Sequence, residues 1–93
     1  MKKLYSFSFE YYRVGLFEGL FFAEEEDLNN VIGKDIYFGE IFGRHSELVQ
    51  NFEREDFKII ALSQEALSEL NSYFGDTISG YNPIDYIEDE DEE

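Results

Sequence analysis

The chain contains one histidine, His45, and no cysteine. His45 lies in the run Gly39-Glu40-Ile41-Phe42-Gly43-Arg44-His45-Ser46-Glu47, which brings together a guanidinium, two carboxylates, a hydroxyl and an imidazole. For acid–base or nucleophilic catalysis, His45 would need a second base or a nucleophile beside it. Ser46 is its chain neighbour, but adjacent residues on a strand point to opposite faces, which disfavours a Ser46–His45 dyad. The run is expected instead to form a hairpin tip, where a rigid scaffold displays polar side chains for contact with a partner. The competing reading is local: Arg44 pairs with Glu40 or with Glu47 across the turn. One His without Cys does not make a zinc site. No Asp-x-Asp-x-Asp-Gly loop is present for calcium, and no Lys-Ser/Thr follows Gly39 and Gly43 to make a phosphate-binding loop. No catalytic residue, metal or cofactor is therefore expected.

Charge is the second source of chemistry. The chain has 22 acidic and 7 basic residues, a formal net charge of -15 over 93 residues. Without the acidic run 88–93, 16 acids still face 7 bases, so the body itself is acidic. Acids recur as Glu24–Asp27, Glu53/Glu55/Asp56, Glu65/Glu69, Asp76 and Asp85. Direct nucleic-acid binding is disfavoured, because no basic patch exists to neutralise phosphates. A basic protein partner is favoured, and carboxylates at phosphate-like spacings can occupy a nucleic-acid-binding groove in place of DNA. The simpler alternative is that the acidity serves solubility alone.

These residues need a scaffold, and the apolar content supplies one: 43% of the chain is hydrophobic, with 10 Phe and 7 Tyr. This aromatic load argues against disorder, and the length is that of one domain, expected over 1–87, with 88–93 as a disordered acidic tail. Tyr5, Phe7, Phe9 and Tyr11 alternate with Ser6, Ser8 and Glu10, which predicts a half-buried strand over 3–12. Arg13-Val14-Gly15 reads as a turn into a second strand, Leu16 to Ala23, in which Gly19 marks a bulge or a close backbone contact. Glu24 to Ile32 reads as a short helix with acids in its first turn and Gly33 as its cap. Asp35–Phe42 and Ser46–Glu53 are expected as the third and fourth strands. A fifth, Phe57–Leu62, is expected to be buried on both faces. Ser63 caps a helix from Gln64 to Phe74 that presents Leu67, Leu70 and Phe74 to the core, with Gly75 closing it. The segment 77–87 reads as turn-rich. The expected fold is α+β: a mostly antiparallel, twisted sheet of about five strands (ββαβββα) with two helices packed on one face.

The lack of cysteine fits a reducing cytoplasm. Ser6, Ser8 and Glu10 break any signal-peptide core after Met1-Lys2-Lys3, and the apolar run Leu20–Ala23 is far too short for a membrane span.

In composition the whole chain resembles the small acidic inhibitors that phages and mobile elements encode against host defence, such as anti-CRISPR and anti-restriction DNA mimics. The resemblance rests on acidity, aromatic content and absence of cysteine, and no family's binding residues are carried over. It implies a non-enzymatic inhibitor that competes with nucleic acid for a basic, nucleic-acid-binding protein. Immunity proteins that neutralise basic nuclease toxins are similar in the same terms, and a small ligand-binding module is the remaining alternative. The residues expected to meet a partner are Glu24, Glu25, Glu26 and Asp27, together with Glu40, Arg44, His45 and Glu47.

Overall fold

Alternation of aromatic and polar residues drives the first two strands, β1 (Lys3–Tyr11) and β2 (Gly15–Ala23), into a nine-pair antiparallel hairpin from Lys3↔Ala23 to Tyr11↔Gly15. The computed structural model describes residues 2–11, 15–44 and 47–87. After the hairpin come helix α1 (Glu25–Asn29), strands β3 (Asp35–Gly39), β4 (Leu48–Asn51) and β5 (Lys58–Ile59), helix α2 (Gln64–Phe74) and strand β6 (Thr77–Gly80). Two 3-10 turns, Arg54–Asp56 and Pro83–Tyr86, complete the described elements.

The class is the expected antiparallel α+β fold, while its finer arrangement differs from the expectation. Six strands form two sheets, a larger one in the order β5-β1-β2-β6 and a two-stranded ribbon of β3 and β4. Every pairing is antiparallel. The strand expected over 57–62 shrinks to Lys58–Ile59, and both residues are exposed. It is an edge strand bonded to β1 alone, so its far side faces solvent and cannot be a fully buried position. Phe57, just before it, takes the buried place instead. The sixth strand, Thr77–Gly80, lies in the segment read as turns.

The core is aromatic. Tyr5, Phe7, Phe17 and Phe21 on one face of the hairpin pack with Leu28, Ile36, Phe38, Leu48, Phe52 and Phe57 in one buried cluster. Phe7 lies 5.0 Å from the Phe17 ring and 5.2 Å from that of Phe52, and Phe17 lies 4.7 Å from Phe38. Such edge-on and tilted pairs let few residues fill a volume that a chain this short could not fill with aliphatics. The Tyr11 hydroxyl donates to the Gln50 side-chain oxygen and ties the large sheet to the ribbon.

The hairpin's opposite face carries Leu4 and Phe22, a cross-strand pair that is also buried but lies outside that cluster. There Phe22 lines a groove together with Leu67, Ser68 and Asn71 of α2. Leu28 of α1 belongs to the main cluster, so the two helices take opposite faces of the large sheet. Leu67 and Leu70, expected in the core, are only half-buried, Phe74, expected there with them, is 57% exposed, and α2 has no buried residue. The boundaries of α2 are as expected: the Ala66 amide donates to Ser63 Oγ at 3.1 Å, and Gly75 closes the helix at φ 75°. α1 is shorter than expected. It ends at Asn29 with Asn30 as its cap, and the Gly33 amide instead donates to the Phe52 carbonyl at 2.9 Å.

Gly19 is a point of close approach. A Cβ there would lie 1.9 Å from the Tyr81 carbonyl oxygen and 2.6 Å from the Phe7 ring, and the β2–β6 register shifts in the next step, between Leu20 and Phe21. The expected 88–93 tail and the Arg13–Val14 part of the first turn lie outside the described residues.

Candidate functional site

Three surface regions carry the polar chemistry. The first is α1 with its approach. Glu25, Glu26 and Asp27 are exposed, as the helix's first turn requires, since its free amides favour anions there. Glu24 occupies the N-cap in an extended conformation and is half-buried. This patch is partly compensated. Lys3 Nζ lies 3.6 Å from Glu25 Oε1, and Lys2 feels Glu24 and Asp27 electrostatically while bonding Asp76. The four acids are thus brought together, with Lys2 and Lys3, at the start of the chain's first strand, beside them.

The second region is the β3–β4 ribbon and its turn. Gly39, at φ 80°, ends β3 and turns the chain, and the register slips from Tyr37↔Val49 to Gly39↔Leu48. That is why the strand expected to reach Phe42 stops at Gly39. Strand alternation sends Ile36, Phe38 and Leu48 to the core and leaves Asp35, Tyr37, Val49 and Asn51 on the outer face. Tyr37 and Val49 face each other across the ribbon, 46% and 53% exposed. Asn51 donates to Asp35 Oδ1 at 2.9 Å at one end.

At the other end, the charges of Glu47 and Glu40 act on the Tyr37 phenol. Partial desolvation of the phenol, followed by these two carboxylates, raises the Tyr37 pKa, so the hydroxyl stays a neutral donor. The structure therefore gathers Glu40 and Glu47 around Tyr37. Arg44 is exposed in the intervening turn. The ion pairs among the described residues are Lys2–Asp76 and Lys3–Glu25, and neither includes Arg44. His45 and Ser46 lie outside the described residues.

Tyr37 was not among the expected contact residues. Its sequence signature is apolar side chains at both alternating positions of β3 and of β4. Two such strands in a two-stranded ribbon must leave one apolar pair in solvent.

The third region is the uncovered part of the large sheet's outer face. Beyond Phe22, where α2 stops covering it, a half-open cleft of about 510 Å³ is lined by Ser6, Ser8, Glu18, Asp56, Lys58 and Ser79, among others. A serine acts as a nucleophile only with an adjacent base. The hydrogen bonds of the described residues join none of these three hydroxyls to a carboxylate. No group of three or more metal-ligating side chains converges among the described residues.

No helix among the described residues is long and apolar enough to cross a membrane. Neither a protein-family model, a curated protein nor a solved structure matches the chain.

Proposed function

We propose that the protein is a non-enzymatic inhibitor whose acidic surface competes with nucleic acid for a basic, nucleic-acid-binding protein. One observation supports this above the rest. No Asp or Glu among the described residues is buried, and acids project from strands, helices and turns alike. Carboxylates held outward on a rigid scaffold create a long-range negative field without an entropic cost on binding. Such a field steers a positive groove towards the protein as phosphates would.

The test begins with affinity capture of a partner on the tagged protein. Association and dissociation rates are then measured from low to high salt. The association rate is expected to fall steeply as the screening length drops from about 10 Å at 0.1 M to about 3 Å at 1 M. Reversing Glu25 and Glu26 to Lys should slow association while folding is retained, and nucleic acid should displace the partner. Binding that is indifferent to salt and to that reversal would overturn the reading.

A further inference from the structure

We infer that the outer face of the β3–β4 ribbon is a receptor for an arginine side chain of the basic partner, with the guanidinium lying on the Tyr37 ring between Glu40 and Glu47. The inference rests on the proposed function for the class of partner, and it adds which side chain is read and where.

The geometry supplies each element that a guanidinium needs. Tyr37 is an exposed aromatic ring on a strand, directly opposite its cross-strand partner Val49. A guanidinium is planar and weakly hydrated, so it stacks on such a face more readily than an ammonium does. The carboxylates of Glu47 and Glu40 both act on the phenol, which places negative charge at the ring's margin, where a stacked guanidinium directs its N–H groups. The register pairs Gly39 with Leu48, so Glu40 and Glu47, one residue beyond each, share this end of the ribbon with Tyr37. Exposed Val49 offers an apolar floor for the arginine's methylene stem, and Asp35, bonded to Asn51, extends the acidic margin along the ribbon. An apolar centre with a charged margin is also the usual anatomy of an interface anchor, and tyrosine is among the residues most often found there.

The test uses the full chain with two probes of equal length and charge, an oligo-arginine and an oligo-lysine peptide, by calorimetry at physiological salt. The oligo-arginine peptide is expected to bind more tightly. Tyr37→Ala should reduce its affinity about tenfold and remove most of the preference over oligo-lysine. Tyr37→Phe, which keeps the ring and loses only the hydroxyl, should retain much of the preference. Each variant's circular dichroism and melting temperature are compared with the parent's, and Tyr37→Phe supplies the reading if Tyr37→Ala is poorly folded. Equal binding of the two peptides, or an arginine preference that survives Tyr37→Ala in a folded protein, would overturn the inference. If Glu25/Glu26 reversal slows capture of the partner while Tyr37→Ala changes nothing, the proposed function stands and the arginine receptor falls. If neither change matters, both fall.

Discussion

Lys2 donates hydrogen bonds to both carboxylate oxygens of Asp76, at 2.8 and 2.9 Å, across 74 residues of chain. Asn71, near the end of α2, donates to the same carboxylate at 3.0 Å, and the Asp76 carbonyl accepts from the Phe22 amide at 2.7 Å. One residue thus joins the start of β1, the last turn of α2, β2 and the entry to β6.

Asp76 gives a pH signature. The bond from Lys2, then that from Asn71, lowers its pKa below the ordinary carboxylate value. A lowered folded-state pKa stabilises the fold above the unfolded carboxylate pKa, and that stabilisation is lost as pH falls through the lowered value. Asp76→Asn is therefore expected to melt below the parent at neutral pH, with the gap closing as pH falls below the ordinary carboxylate pKa of about 3.9. Both side chains are largely exposed, so the gap should be small and should shrink further in salt. The comparison of two melting curves isolates this pair from the general relief of repulsion that acid brings to so negative a chain. A gap constant from neutral pH to acid would exclude the charge-based origin.

Packing separates two apolar side chains that the sequence places on equal terms. Phe17 is fully buried among Phe7, Phe38 and Tyr81, whereas Leu70 is half-buried on α2. Phe17→Ala should cost about 3–5 kcal/mol, enough to unfold a domain of this size, while Leu70→Ala should cost only about 1–2 kcal/mol. Urea denaturation of both variants checks this. Equal losses would mean that α2 is docked more deeply than its exposure shows.

Tyr5 carries a polar atom at a cost. Its side chain is fully buried, and its hydroxyl has no hydrogen-bond partner among the described residues. The Arg54 guanidinium carbon lies 5.7 Å from its ring centroid, an attraction that phenylalanine would keep. Tyr5→Phe is expected to leave stability unchanged or raise it by about 1 kcal/mol. A loss of that size or more in chemical denaturation would show that the hydroxyl is bonded after all.

Much of the fold was legible because local rules and tertiary packing agree. Tyr5, Phe7, Phe9 and Tyr11 alternate over the length of β1, and Ser63 and Gly75 bound α2 by capping chemistry. Gly19 announced a close approach that the Tyr81 carbonyl and the Phe7 ring now account for. The departures share one cause. Edge strands need few residues and little hydrophobicity, so β6, with Ser79 and Gly80, passed for a turn, and the apolar run around Ile59 passed for a central strand. The amphipathic pattern of α2 indicated that Leu67 and Leu70 face inward but not how shallowly the helix sits, nor that Phe74 at its end is left in solvent. For the candidate site, the acids Glu40 and Glu47 were apparent, but the tyrosine that joins them was not. Its exposure depends on the division into two sheets, which no local pattern records.

The order of strands along the chain bears on how the molecule reaches its folded state. The centre of the larger sheet is a single hairpin of residues 3–23, which can pair early because its contacts are local. Its flanking strands at 58–59 and 77–80, and the rings of Phe52, Phe57 and Tyr81 that cover its aromatic face, come much later in the sequence. Until those segments arrive, the hairpin presents two open edges and a bare row of Tyr5, Phe7, Phe17 and Phe21, the kind of surface on which chains associate with one another. The carboxylates of Glu10 and Glu18 on this same hairpin make every copy repel the next during that interval. Neutralising them would be felt first in the yield of refolding at high protein concentration, before any effect on the stability of the finished fold.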